Sequence, residues 1–133
     1  MTGRASRDKG ARAERECCQL LGALLGMEFS RNFKQFAKSQ EGDIEQLVGP
    51  YCVESKFHAA ESLKPWWAQA CAAARKRNAI PCLAVKTARK GWRFIIPLPQ
   101  AWATGQAWAW ELAYTMSVSP DGFALVVREQ MGE

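Results

Sequence analysis

Polar and apolar positions alternate with a period of two along residues 51–57, so that Tyr51, Val53, Ser55 and Phe57 fall on one face of a strand and Cys52, Glu54 and Lys56 on the other. A partner strand is predicted over residues 42–48, joined to the first at Gly49-Pro50, a dipeptide that reverses the chain. Helical spacing precedes this hairpin over residues 6–26, with Ser6 or Asp8 as candidate N-caps and Gly26 as the stop. Its apolar stripe of Leu21, Leu24 and Leu25 continues back through Cys17 or Cys18 to Glu14. Glu14 is therefore the one acid of that helix aimed at the interior, while Arg12, Arg15, Glu16 and Gln19 mark the outward side. Residues 27–33 read as a strand, and 34–41 as a polar loop carrying Lys34 and Lys38.

Beyond the hairpin, Glu61-Ser62-Leu63-Lys64-Pro65 reads as a helix entry with proline in the first turn. This helix continues through an alanine-rich face, with Gln69 as a polar residue among small apolar ones. It reaches Arg75-Lys76-Arg77, whose charges complement its C-terminal dipole, and ends near Asn78. Residues 80–87 and 92–97 are strands around a turn at Ala88-Arg89-Lys90-Gly91, and 97–104 is a short helical connection. Large side chains alternate again at Trp108, Trp110, Leu112, Tyr114, Met116 and Val118, and Pro120-Asp121-Gly122 turns the chain into Phe123, Leu125 and Val127. That pattern predicts a C-terminal β-hairpin, with a helix over 100–114 as the alternative that abundant alanine allows. Six large side chains on one face exceed what a small core absorbs, so part of that face is expected in a homodimer interface.

A chain of 133 residues, 48% of them hydrophobic, supports one compact domain. Lys plus Arg outnumber Asp plus Glu by 18 to 13, and the excess is local. Arg4, Arg7, Lys9, Arg12 and Arg15 crowd the start, and Arg75-Lys76-Arg77 and Arg89-Lys90 form later clusters, which favours an anionic partner such as nucleic acid. Five cysteines with no CxxC pair and a single histidine, His58, argue against a zinc site and for reduced, buried thiols. No signal peptide and no membrane-length apolar run is apparent, so a reducing cytoplasm is the expected location, that of the host if the protein is viral, with no membrane partner.

The chemistry centres on Glu54 and Lys56, a carboxylate and an ammonium projecting the same way from an otherwise apolar strand. With Asp43 on the paired strand, the group offers two hard oxygen ligands and a lysine, which suits Mg²⁺ holding a phosphate. The same residues could form a salt bridge across an edge hairpin, and period and spacing leave both readings open. Lys86, the one charge in its apolar run, either faces phosphate or extends into solvent.

Taken in order, Lys9-Gly10, Glu14-Arg15, Gly42-Asp43, Val53-Glu54-Ser55-Lys56, Gln69, and Leu83-Ala84-Val85-Lys86 followed by Gly91-Trp92-Arg93-Phe94 resemble the PD-(D/E)XK nuclease superfamily. Within it they look like archaeal-type Holliday junction resolvases and their viral and bacterial relatives, over about residues 7–96. The resemblance implies a single nuclease domain over 1–133, its core at about 7–96 and an extension from 97. The implied fold is α/β, a restriction-endonuclease-like central mixed sheet flanked by helices, to which the C-terminal hairpin would be added. It also implies a metal-dependent endonuclease acting on branched or four-way DNA as a homodimer. Asp43, Glu54 and the Ser55 carbonyl would hold Mg²⁺ or Mn²⁺, and Glu14 would complete the site. Lys56 would steady the attacking hydroxide, and Gln69 would position Lys56 or the water. Phosphate contacts would come from Arg15, Arg31 and Lys86, within a basic surface that also takes in Arg4, Arg7, Lys9, Arg12, Lys34, Lys38, Arg89 and Lys90. Gly42 stands where the family motif has proline, and the tryptophan-rich C-terminus has no counterpart in the pattern.

Overall fold

The computed structural model describes residues 3–31, 44–58, 62–87 and 89–132, with backbone only for 3–9 and 58. Along the chain, α1 (Gly3–Leu25) leads to β1 (Tyr51–His58), α2 (Leu63–Lys76), β2 (Ile80–Thr87), β3 (Gly91–Pro97), α3 (Pro99–Trp102), β4 (Thr115–Val118) and α4 (Pro120–Gln130). Two 3-10 turns, Ala107–Trp110 and Leu112–Tyr114, separate α3 from β4. The strands form one mixed sheet in the order β1-β2-β3-β4: β1 and β2 are parallel, and the other pairs are antiparallel. Helices flank this sheet, the arrangement expected of a restriction-endonuclease-like α/β fold.

Strand alternation sorts the core into two layers. Tyr51, Val53, Cys82, Ala84, Phe94 and Ile96 face α1 and α4, where they meet Cys17, Cys18, Leu21, Phe123 and Val127. Leu83, Val85 and Ile95 face α2, against Trp66, Trp67, Ala70 and Cys71. Each large side chain taken fully out of water contributes about 1.5–3 kcal/mol, so these two layers are the main source of stability. No described helix is long and apolar enough to cross a membrane.

Local sequence accounts for the ends of the elements. Gly26 adopts φ +68° and its N–H bonds to Gly22 O at 2.9 Å, a left-handed cap that stops α1 where glycine predicts it. Asn78, at φ 53°, ends the turn after α2 in the same way. Gly49 at φ +58°, followed by proline, has the pattern of a type II′ turn, and Val48 and Tyr51 exchange backbone bonds of 2.8 and 2.9 Å across it. The chain reversal at Gly49-Pro50 is therefore present. The strand predicted before it is reduced to isolated bridges, Val48 with Tyr51 and Ile44 with Arg31, and residues 42 and 43 lie outside the described residues. Likewise the strand expected over 27–33 is irregular through Ser30, with a single bridge at Arg31 and with 32 and 33 outside the description.

The C-terminal β-hairpin is not formed. Only residues 115–118 are a strand, and they pair with β3 rather than with the segment that follows. That segment is α4: the Ser119 hydroxyl accepts from Gly122 N–H at 3.0 Å and Pro120 occupies the first turn, so Ser-Pro-Asp-Gly is a helix start and not a hairpin turn. A strand would bury Leu125 together with Phe123 and Val127, yet Leu125 is 58% exposed while the other two are fully buried. Phe123 stacks on Phe94 with ring centroids 4.6 Å apart. The alternating tryptophans belong to the 3-10 turns, where Trp110 accepts a 2.7 Å hydrogen bond from Trp67 Nε1 at its carbonyl, and Trp108 packs edge-on against Tyr114. The single face of six large side chains consequently does not exist.

Candidate active site

β1 carries Glu54 and Lys56 on the sheet face covered by α2, the face that also holds Cys52. Both are half-buried, beside Leu83 and Val85 in the parallel register. Cys52 packs with Ala73 and Ala74 of α2. Trp66, Gln69 and Ala73 form one column on that helix, because positions three and four apart share a face. Because α2 links two parallel strands, it runs back against β1. From Cys52 to Glu54 the strand advances about 6.6 Å, and from Ala73 back to Gln69 the helix advances about 6 Å. By these advances Gln69 is expected near the level of Glu54, and it is exposed on α2.

Ser55 points to the opposite face and is buried. On that side, Glu14 of α1 accepts a 2.7 Å hydrogen bond at Oε2 from Arg31 Nε, and the two side chains are only 12% and 13% exposed. The inward aim of Glu14 follows from its place in the helical stripe, one turn before Cys17 and Cys18. Arg31 in turn bridges Ile44, the residue after Asp43, through the backbone. Asp43 itself lies outside the described residues, so its distance to Glu14 or Glu54 is not defined. Among the described residues, no group of three or more His, Cys, Asp or Glu side chains converges as a metal site.

The basic residues expected to contact phosphate divide into three sets. Arg12 and Arg15 are exposed on α1, and Arg89 and Lys90 are exposed at the β2–β3 turn. Arg31 and Lys86 are in ion pairs, with Glu14 and Glu16 respectively. Arg4, Arg7 and Lys9 are described in backbone only, and Lys34 and Lys38 are outside the description. The Lys86 ammonium meets Glu16 Oε1, which also accepts from Trp92 Nε1 at 3.0 Å. The Lys86 hydrogen bond, helped by Trp92 and only partly opposed by desolvation, holds the Glu16 carboxyl below its ordinary value.

One residue that the sequence assigns to a helix dipole and a basic cluster has a further part. Arg77, just past α2, donates from Nη1 to the Ile44 carbonyl at 3.0 Å and from Nη2 to the Glu45 carbonyl. It fastens the segment that follows Asp43 to the far side of the sheet. Only its position in the fold reveals this, since the partners are more than thirty residues apart. Glu16 and Trp92 escape the sequence for the same reason.

A profile of the family described as "Phage putative PDDEXK endonuclease" matches residues 5–118. No curated protein matches the sequence. The match runs from the start of α1 through the end of β4, past the boundary near residue 96 that the motif resemblance suggests. It includes every position of the acid, E-x-K and glutamine pattern together with the sheet that carries it, and by that match the chain belongs to this phage family of PD-(D/E)XK endonucleases.

Proposed function

We propose that the chain is a metal-dependent endodeoxyribonuclease that hydrolyses phosphodiester bonds in branched DNA. The observation that supports the reading is that Glu54 and Lys56 share the strand face covered by α2, the helix that carries Gln69, in a member of a PD-(D/E)XK family. The net charge of +5 and the exposed Arg12, Arg15, Arg89 and Lys90 support a polyanionic substrate.

The donors available are hard oxygens, the carboxylates of Glu54, Asp43 and Glu14 and the main-chain carbonyl of Ser55, and such a set suits Mg²⁺ or Mn²⁺. All five cysteines are buried and offer no competing soft site. A bound ion would polarise the scissile phosphodiester and supply hydroxide at neutral pH. The protein's own part is positional. Lys56, two residues along the same strand face as Glu54, places an ammonium beside the reacting phosphate. Gln69 offers an amide to hold Lys56 or the attacking water. Glu14 lies with Arg31 on the opposite face of the sheet from Glu54, so it would complete the site only around the β1 edge and by sharing its carboxylate with Arg31. The same reading has the protein work in the cytoplasm as a homodimer, one site on each of two symmetry-related strands.

Cleavage of synthetic four-way junctions against matched linear duplexes, in Mg²⁺, tests this. Paired symmetrical nicks in the junction are expected. Equal cutting of duplex overturns the branched-DNA preference and leaves another PD-(D/E)XK nuclease. Binding without any cleavage in Mg²⁺ or Mn²⁺ leaves a DNA-binding protein that has kept the fold.

A further inference from the structure

Lys86 and Trp92 are direct cross-strand partners at the turn end of the β2–β3 hairpin. Side chains so paired sit with Cβ atoms about 4.5–5.5 Å apart, and here both polar tips turn to one point. An ammonium and an indole N–H converge on a single oxygen, Oε1 of Glu16. The sheet fixes the backbones of both donors side by side, and the Lys86 ammonium also lies 5.6 Å from the centre of the Phe57 ring, next in sequence to Lys56. The acceptor is different in kind: it reaches over from α1 on a flexible side chain and is 46% exposed. Preorganised donors with a movable anion describe a receptor, not a structural bond. The exposed Arg89 and Lys90 in the adjoining turn extend the positive surface around it.

Taking the Lys86 phosphate contact that the family resemblance implies, we propose that Trp92 shares it as a second donor and that the Glu16 carboxylate, which swings away when DNA binds, is the internal competitor of this subsite. This rests on the nuclease reading and adds to it a cost of engagement. That cost is small, because an exposed ion pair is weak and screened. A DNA phosphate would gain the same two donors along with the field of the neighbouring arginine and lysine.

The test is anisotropy of a fluorescent four-way junction in EDTA, where nothing is cut, with the parent, Glu16→Gln, Lys86→Met and the double variant. Glu16→Gln is expected to tighten binding by about twofold to fivefold, the range an exposed pair can withhold. Lys86→Met is expected to weaken binding and to lower the salt dependence by about one phosphate. In the Lys86→Met background the gain from Glu16→Gln should vanish. An equal gain in both backgrounds would mean a general charge effect and would overturn the proposal, as would no gain in the parent. If the parent binds and cuts DNA while Glu16→Gln changes nothing, only the subsite falls. If the parent neither binds nor cuts, the nuclease reading falls with it.

Discussion

Arg77 Nη1 donates to the carbonyl of Ile44 at 3.0 Å, so a guanidinium at the end of α2 anchors the residue that follows Asp43. The Glu45 carbonyl is held by the same group. Removing it leaves a main-chain acceptor in a half-buried place without its charged donor. Arg77→Ala is therefore expected to lower unfolding free energy by about 1–3 kcal/mol, read by chemical denaturation. Arg77→Lys, with one head group for two acceptors, should fall between.

Glu14 and Arg31 form an ion pair in which both side chains are nearly out of water. Breaking one partner strands the other's charge out of water, which costs more than the pair is worth. Glu14→Ala should destabilise by about 2 kcal/mol or more, and Arg31→Met in the same background should restore part of the loss. A thermal or denaturant series of the two single variants and the double variant checks this.

Glu16 gives a pH signature. Its carboxyl is held below its ordinary value in the folded protein, chiefly through the Lys86 hydrogen bond, whereas unfolding returns it to that value. A lowered carboxylate contributes stability above its unfolded value and loses it as pH falls through the folded one. Parent and Glu16→Gln should thus differ by at most about 1 kcal/mol at pH 7, a difference that fades as the pH drops below the usual carboxylate range and also in high salt. Paired denaturation curves at pH 7 and pH 3 measure it.

All five cysteines are buried, and none is in a disulfide. Burial raises the Cys82 thiol well above its ordinary value and pushes Cys71 up to about 11, against a smaller opposing pull from Arg75. Native protein is expected to react slowly with an aromatic disulfide reagent at pH 7, and denatured protein to release all five equivalents at once. Fast native labelling at either position would contradict the packing of the two layers.

How much of this was legible beforehand depends on whether the information is local. Alternation at Tyr51, Cys52 and Val53 correctly divides β1 between two helix layers, and Gly49-Pro50, Gly26 and the turn after Thr87 all mark real reversals or ends. The C-terminus misleads because two periods coincide there. Phe123, Leu125 and Val127 fit a strand, but Phe123 and Val127 are also four apart on a helix, and the exposed Leu125 settles which holds. Trp108 and Trp110 alternate with alanine yet occupy a 3-10 turn: Trp110 packs against α2, whereas Trp108 is 40% exposed and meets Tyr114. At the site, the face of Glu54 and Lys56 and the inward aim of Glu14 follow from pattern. The partners of Arg31, Arg77 and Lys86 do not, because each is set by the packing of distant segments.

The most direct measurement of the central claim is hydrolysis of DNA by the purified chain and by Glu54→Ala, each in Mg²⁺ and in EDTA, with DNA binding followed in parallel. The account expects cutting by the parent in Mg²⁺ alone and none by the variant, which should still bind DNA. Cleavage by Glu54→Ala at the parental rate, or by the parent at an undiminished rate in EDTA, would contradict it.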